Sequence, residues 1–223
     1  MLGSIPQIVQ SAMPLDQDTN TIRVERNDII LFQGDSITDN GRNKESRVAN
    51  DIGALGRGYA MLASAYLLRQ LPQLNLQFIN QGISGNKVHQ LAERWETDCL
   101  EIKPNVLSIL IGVNDYWHTK TGGYTGTLQT YIDDYRKLLD DTLERLPKIK
   151  LIIGEPFAVN GIRAVTDDWY PILTDTAKQP KTSLLNTRRH SYPTKPFSTK
   201  PQTKPTGHIG PTTAYTPPWQ ARN

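Results

Sequence analysis

The sequence predicts an α/β domain built on a parallel sheet with helices on both faces. Short, continuously apolar runs alternate with longer segments whose apolar residues recur at helical spacing. The short runs lack polar alternation, which is typical of strands buried on both faces of a parallel sheet. The chain has 223 residues, enough for one such domain and a tail.

The elements are predicted in chain order. The first 20 residues have no regular pattern, and residues 21–24 alternate like a short strand. Four apolar runs predict the buried strands, at residues 28–33, 76–80, 106–112 and 149–154. Helical periodicity predicts helices over 58–71, 88–102 and 125–146, and a polar loop is expected over 39–55. The last helix is strongly amphipathic, with an apolar face of Leu128, Tyr131, Ile132, Tyr135, Leu138, Leu139, Leu143 and Leu146.

The first buried strand ends at the turn Gly34-Asp35-Ser36. One interpretation is that the strand delivers Ser36, a small nucleophile, to the carboxyl edge of the sheet, with Gly34 allowing the tight turn. The other is an ordinary strand-to-helix turn in which Ser36 or Asp35 caps the helix. The turn alone leaves both interpretations open.

Three consecutive strand ends carry small or polar residues that suit one reaction: Ser36, Gly85 and Asn114. A serine that attacks an ester carbonyl creates an oxyanion, which needs preorganised N–H donors. Ser36 and Gly85 can offer backbone N–H groups, and Asn114 can offer its side-chain amide. Each residue could instead be a loop glycine or a turn residue, but the recurrence on three strand ends favours a catalytic edge.

These segments resemble a known family. Gly34-Asp35-Ser36, Asn80-x-Gly82-x-x-Gly85-Asn86 and Gly112-x-Asn114-Asp115 are similar to blocks I, II and III of the SGNH (GDSL) hydrolases, over roughly residues 25–160. The resemblance implies a flavodoxin-like three-layer α/β/α sandwich and hydrolysis of esters or thioesters. It also implies that Ser36 is the nucleophile, with Asp35 in support. Ser36 N–H, Gly85 N–H and the Asn114 amide would form the oxyanion hole.

The general base of such a hydrolase comes from a late Asp-x-x-His. No such pair follows the fourth predicted strand, because residues 176–223 contain neither Asp nor Glu. The four histidines are His89, His118, His190 and His208. We expect His89 to be a surface residue and leave the base and its Asp unassigned. His118 or His190 as a substitute base is a weaker alternative, with no carboxylate assigned to either.

The tail departs from the rest of the chain in composition. Residues 176–223 hold eight of the 25 basic residues and eight of the 15 prolines, so the tail carries about +8 and residues 1–175 about −5. We therefore divide the chain into an irregular segment 1–20, a hydrolase-like domain 21–175 and a basic tail 176–223. The tail is expected to be disordered or polyproline-like, and the final strand and helix of the fold to be missing.

One explanation of the tail is a shift of reading frame between about residues 160 and 180. In the shifted frame each codon consists of the last base of one residue's codon and the first two bases of the next. The codon that spans Thr212 and Thr213 can then encode Asp, and the codon that spans Tyr215 and Thr216 can encode only His or Tyr. The shifted frame can spell Tyr-Trp-x-x-Asp-Gly-Val-His-Pro-Thr-x-Ala-Gly, which resembles the family's block V. The alternative is a genuine basic tail, and hence a non-catalytic binding module that contacts anionic partners.

Several function classes are disfavoured. The single cysteine, Cys99, excludes an internal disulfide framework, and we expect it to be a buried apolar residue. No apolar run is long enough to span a bilayer and no leader is evident, which predicts a cytoplasmic location. The basic tail lacks the interleaved aromatics of specific nucleic-acid binding. No metal or cofactor is implied.

The predicted function is therefore ester hydrolysis through an acyl-Ser36 intermediate, impaired in this chain because the base is missing. The expected substrate is a small-molecule ester, either a lipid or an acetylated carbohydrate. Residues 39–58 and 116–124 are expected to line the pocket, because they follow the first and third buried strands.

Overall fold

Five parallel strands form the central sheet in the computed structural model, which describes residues 22–161, 165, 166, 169, 190 and 191. The strand order is β2-β1-β3-β4-β5, which is the flavodoxin-like order. The strands are β1 Ile29–Gly34, β2 Gln77–Asn80, β3 Val106–Leu110, β4 Lys150–Gly154 and β5 His190–Ser191. Each neighbouring pair is parallel, as predicted.

Helices connect the strands. They are α1 Ser36–Asp39, α2 Ile52–Leu55, α3 Tyr59–Gln70, α4 Val88–Glu93, α5 Val113–Thr121 and α6 Leu128–Arg145. A 3₁₀ turn covers Pro72–Leu74, and a π-helical turn covers Glu96–Leu100. Within the described ranges, no helix is long and apolar enough to pass through a bilayer.

Alternate residues of the strands face two separate apolar layers. Leu31, Leu107 and Leu151 pack in one layer with α4, the π-helical turn and α6. Ile30, Phe32 and Val106 point to the opposite layer and pack with residues of α2 and α3. Because both faces are covered, the fold is the three-layer α/β/α sandwich predicted from the sequence.

The predicted apolar face of α6 lies against the core. Tyr131, Tyr135, Leu138 and Leu139 are buried, and the other four predicted residues are partly buried against the same cluster. Cys99 is fully buried in the π-helical turn, as predicted, and burial raises the pKa of its thiol to about 12.

Three local predictions are wrong. Residues 22–24 form no strand, and the predicted loop 39–55 contains the end of α1 and all of α2. The sequence also predicts that the final strand is missing, whereas His190 and Ser191 pair with Ile152 and Ile153 of β4. This pairing uses the backbone N–H and C=O groups that every residue except proline carries, so it needs no apolar pattern in the sequence.

Other predictions fall outside the described residues. These are the irregular segment 1–20, the absence of a final helix, and the conformation of the tail apart from β5.

Candidate active site

The three predicted site residues lie at one edge of the sheet. Strand β1 lies between β2 and β3, so the segments that follow these strands meet at their carboxyl ends. Ser36 is the first residue of α1, after β1. Gly85 lies in the loop after β2, and Asn114 lies in the first turn of α5, after β3. The topology therefore brings together the residues that the sequence selected.

The Gly34-Asp35-Ser36 turn combines both interpretations. Asp35 caps α1 through its side chain, which accepts a hydrogen bond of 2.9 Å from the Ile37 N–H. Ser36 is exposed, whereas Asp35 is buried. A Cβ on Gly34 would lie 2.2 Å from the Leu110 carbonyl oxygen and 2.3 Å from Thr38 Oγ1, so only glycine fits there. A capped turn thus holds an exposed serine at the edge.

Hydrogen bonds tie the three segments to one another. The Ile83 N–H donates to the Gly34 carbonyl at 3.0 Å, which joins the loop after β2 to the end of β1. Asn114 Nδ2 donates to the Asn86 carbonyl at 3.1 Å. The Val88 N–H donates to Asp115 Oδ1 at 3.2 Å. These bonds fix the Gly85 loop between β1 and α5.

Three N–H donors remain available at this edge. Among the residues that the structure describes, the backbone N–H groups of Ser36 and Gly85 have no hydrogen-bond partner. Asn114 Nδ2 carries two hydrogens and uses one on Asn86. Gly85 has φ +85°, and apart from its chain neighbours no heavy atom of the described residues lies within 4 Å of where its Cβ would be. The donors are preorganised because their own segments are fixed by other bonds.

Side chains behind the edge support this arrangement. Asn80 Nδ2 donates to the carbonyls of Thr38 and Leu55, while Asn80 Oδ1 accepts from the Gly82 N–H. Asp39 Oδ2 accepts from both the N–H and the hydroxyl of Ser84. These contacts connect α1 to the loop that carries Gly85.

Arg42 makes a further connection and was not selected from the sequence. This buried residue donates from Nε to the Gly82 carbonyl at 2.7 Å. Asp39 was not selected from the sequence either. The position of Asp39 and Arg42 shortly after the Gly34-Asp35-Ser36 turn could have indicated that they belong to the site. Their partners lie about 40 residues away and cannot be inferred from spacing.

Two buried carboxyl groups flank the donors. Burial raises the pKa of Asp35 to about 6, against the lowering effect of its hydrogen bond from Ile37. Burial raises the pKa of Asp115 to about 7, opposed by the hydrogen bond from Val88 and by the Lys87 charge. Each Oδ2 atom is buried without a hydrogen-bond partner within the described part of the chain. Both groups therefore keep their protons to a higher pH than an exposed Asp does.

The histidines with described side chains do not contact Ser36. His89 stacks on Tyr124, with 5.5 Å between ring centroids, and is half-buried rather than a simple surface residue. His118 Nδ1 lies 3.2 Å from Lys87 Nζ. For His190 only the backbone is described, in β5. The described residues thus provide no base hydrogen-bonded to the serine.

An Asp-x-x-His spacing does occur on α5, between Asp115 and His118, and sequence reasoning passed over it. The structure does not pair these side chains. Asp115 Oδ1 accepts from the Val88 N–H, and His118 faces Lys87. Asp115 therefore fixes the loop after β2 and does not orient His118.

Comparison with known proteins identifies the class that this fold and site define. The model of the GDSL-like lipase/acylhydrolase family matches residues 32–202. The chain belongs to this family, and by family it is a carboxylic ester hydrolase. The match extends beyond the residues 25–160 on which the resemblance rests.

Individual relatives agree with this assignment. An acetylxylan esterase of Geobacillus stearothermophilus is 34% identical over 166 residues, which cover 71% of this chain and 75% of the relative. A Parabacteroides merdae structure described as a GDSL-like lipase is 45% identical, with a TM-score of 0.74, and the match covers 77% of this chain and 79% of that one. The structure of Axe2, an acetylxylan esterase from G. stearothermophilus, matches with a TM-score of 0.68 and 30% identity over 77% of this chain and 78% of Axe2.

Proposed function

We propose that the site hydrolyses acetyl esters of carbohydrates, with Ser36 as nucleophile. The observation that carries the proposal is the exposed Ser36, at the carboxyl edge of the sheet with three N–H donors from Ser36, Gly85 and Asn114. Such donors stabilise the oxyanion that forms when a serine attacks an ester carbonyl. Asp35 supports the nucleophile by capping α1.

The reaction proceeds in two steps. Ser36 Oγ attacks the acetyl carbonyl carbon and gives its proton to solvent water, because Ser36 is exposed and no described base contacts it. The carbonyl oxygen becomes an oxyanion held by the three donors. When the tetrahedral intermediate collapses, the bond to the sugar oxygen breaks, the sugar oxygen takes a proton, and acetyl-Ser36 remains. Water then attacks acetyl-Ser36 and releases acetate and the free serine.

The substrate class follows from the relatives. The G. stearothermophilus relative is named an acetylxylan esterase, and structures of Axe2 variants describe it as an acetyl-xylooligosaccharide esterase. Residues 39–58 and 116–124 follow β1 and β3, so their first residues lie at the edge that carries Ser36, whereas Asn50 bonds to Leu76 and Phe78 at the start of β2. We propose that the parts of these two segments nearest Ser36 contact the sugar.

We also propose that the esterase activity of this 223-residue chain is impaired. Structures described as catalytic mutants of Axe2 change a serine, an aspartate and a histidine, and the last two lie three positions apart. Ser36 is the serine candidate, but no late Asp-x-x-His follows β4 in the printed sequence. His118 is a poor substitute because its Nδ1 is occupied by Lys87.

An esterase assay tests both parts. The 223-residue chain is compared with Axe2 on 4-nitrophenyl acetate and on acetylated xylo-oligosaccharides. We expect turnover far below that of Axe2, and the residual turnover should disappear in Ser36→Ala. Thr97→Val is the matched control, because it also removes one hydroxyl group, and Thr97 is an exposed residue of the π-helical turn, outside residues 39–58 and 116–124.

The outcomes separate the claims. Residual turnover that survives Ser36→Ala contradicts the role of the serine. Turnover comparable to that of Axe2 and abolished by Ser36→Ala contradicts the impairment but supports the serine.

A further inference from the structure

A buried lysine and a histidine lie together just beyond the candidate oxyanion hole. Lys87 follows Gly85 by two residues, and its side chain is directed inwards, with 8% of the residue exposed. Its Nζ donates to Gln90 Oε1 at 2.9 Å, contacts His118 Nδ1 at 3.2 Å and lies 5.2 Å from the centroid of the Tyr124 ring. The ammonium group is thus engaged on several sides by residues of this chain.

His118 lies on the same face of α5 as Asn114. The two residues are four positions apart, which places them on one side of the helix and about 6 Å apart along its axis. Asn114 bonds to Asn86, and His118 contacts Lys87, the next residue of the same loop. The face of α5 that begins at the candidate oxyanion hole therefore continues to His118.

The contact with Lys87 determines which nitrogen of His118 carries the proton. An ammonium group is only a donor, so Nδ1 must accept from Lys87, and a neutral imidazole then carries its proton on Nε2. Burial, followed by the Lys87 charge, lowers the pKa of His118, which keeps the ring neutral at pH 7. The ring is half-buried, and no described residue hydrogen-bonds to Nε2.

We propose that His118 is a specificity-determining residue that donates its Nε2–H to a sugar hydroxyl next to the acetylated position, and that Lys87 is the positioning residue that fixes this tautomer. The proposal rests on the proposed function of the site. It adds the part of the substrate that His118 recognises, which is the alcohol side of the ester.

The chemistry of the substrate fits such a donor. An acetylated sugar carries free hydroxyl groups beside the ester, and a hydroxyl oxygen accepts a hydrogen bond from a neutral N–H. A simple alkyl ester has no such hydroxyl. The Lys87–His118 pair would therefore make the enzyme prefer sugar esters to alkyl esters. This preference does not depend on the oxyanion hole.

The tautomer is tested directly by long-range ¹H–¹⁵N NMR of the imidazole groups in the full chain at pH 7. We expect the His118 signals, assigned by their loss in His118→Gln, to have the pattern of an Nε2–H ring. In Lys87→Met, which retains an apolar stem without the ammonium, the ring should lose this single pattern. An Nδ1–H pattern in the parent chain overturns the positioning role, whatever ligand binds.

Ligand recognition is tested by titrating mono-acetylated xylobiose into Ser36→Ala, which prevents turnover. Adding His118→Phe or Lys87→Met should weaken binding about three- to tenfold, because one neutral hydrogen bond is lost. His118→Gln, which keeps an N–H donor, should bind more tightly than His118→Phe. His89→Phe is the matched control and should bind like the parent, because its ring can still stack on Tyr124.

The results distinguish failure of this inference from failure of the proposed function. Binding to Ser36→Ala that is unchanged by His118→Phe and Lys87→Met overturns the subsite and leaves the esterase proposal standing. If Ser36→Ala binds no acetylated xylobiose while His118 has the Nε2–H pattern, the proposed substrate class is wrong and the ligand assigned to His118 is wrong with it.

Discussion

Asn114 Nδ2 donates to the backbone carbonyl of Asn86 across 3.1 Å, so one amide joins the start of α5 to the loop that carries Gly85. The amide has a second hydrogen, which remains for the candidate oxyanion hole. The same side chain thus holds the loop in place and offers a donor to substrate. Its two roles predict separate effects on stability and on turnover.

The first prediction concerns Asn114→Ala. Loss of the bond to Asn86 should lower the free energy of unfolding by about 1 kcal/mol. Loss of one oxyanion donor should lower kcat for acetyl ester hydrolysis by about 10²-fold or more, with KM little changed. Kinetics with 4-nitrophenyl acetate and urea denaturation measure the two effects.

Gln129→Ala is the control for Asn114→Ala. Its amide donates to Asp133 at 2.9 Å on the exposed side of α6, so its removal should leave kcat unchanged. If Asn114→Ala loses stability but retains full kcat, the amide is structural and the oxyanion assignment fails.

The second prediction contrasts Gly34 and Gly85. In Gly34→Ala the new methyl group would meet the Leu110 carbonyl oxygen at 2.2 Å, and backbone must move, which should cost about 3 kcal/mol. Gly85→Ala meets no atom within 4 Å, so only its φ of +85° opposes alanine, at about 1 kcal/mol. Thermal or urea unfolding should therefore show that Gly34→Ala is much less stable than Gly85→Ala.

Gly161 provides a control for the backbone strain at Gly85, since it has φ +78° and equally open surroundings among the described residues, and it lies outside residues 39–58 and 116–124. Gly161→Ala and Gly85→Ala should cost similar stability. Only Gly85→Ala should lower kcat, because its methyl group projects into the space beside the N–H donor. Equal kcat values in the two variants contradict the role of the Gly85 N–H.

The third prediction concerns the coding sequence of the tail. If the frame has shifted, the shifted codons read Asp across Thr212/Thr213 and His across Tyr215/Thr216, three positions apart. DNA sequencing decides between this and a genuine basic tail. A chain expressed in the restored frame should hydrolyse acetylated xylo-oligosaccharides much faster than the 223-residue chain. Codons that give neither Asp nor His at these junctions remove the explanation.

The framework of the fold could be predicted because it depends on local patterns. Continuous apolar runs marked β1 to β4, and helical spacing marked the buried face of α6. The edge that carries Ser36, Gly85 and Asn114 followed from parallel topology alone. Helix α5 was missed because its apolar residues Val113, Tyr116 and Trp117 cover only one helical turn, which is too short to predict a helix, and tertiary packing of these residues supports it.

The contacts within the site could not be predicted from spacing. Asp115 and His118 have the spacing of a catalytic pair, yet Asp115 bonds to Val88 at the start of α4 and His118 contacts Lys87 just before it. Lys87 and His118 lie 31 residues apart, and Asn80 and Thr38 lie 42 apart. Such contacts depend on how the segments pack, so the sequence indicated which residues gather at the edge but not which side chains pair.

The fourth prediction concerns the pH dependence of stability. Burial raises the pKa of Asp115 to about 7, so the folded chain favours the protonated carboxyl more than the unfolded chain does. The stabilising contribution is therefore fully present at low pH and is lost as the pH rises through about 7. We expect this group to lower the free energy of unfolding by roughly 2 kcal/mol between pH 5 and pH 8. Asp35, with a pKa raised to about 6, acts in the same direction.

Asp115→Asn isolates the contribution of this carboxyl group, because its amide oxygen can still accept from the Val88 N–H but cannot ionise. Urea denaturation at several pH values should give a flatter profile for Asp115→Asn than for the parent. The stability contribution of Asp39 should change with pH in the opposite direction. Burial raises its pKa, but the hydrogen bonds from Ser84 and Lys44 outweigh burial and lower it. Its contribution should be lost as the pH falls below about 4, so Asp39→Asn should flatten only the acid limb. A parent profile without any loss of stability between pH 5 and pH 8 contradicts the raised pKa of Asp115.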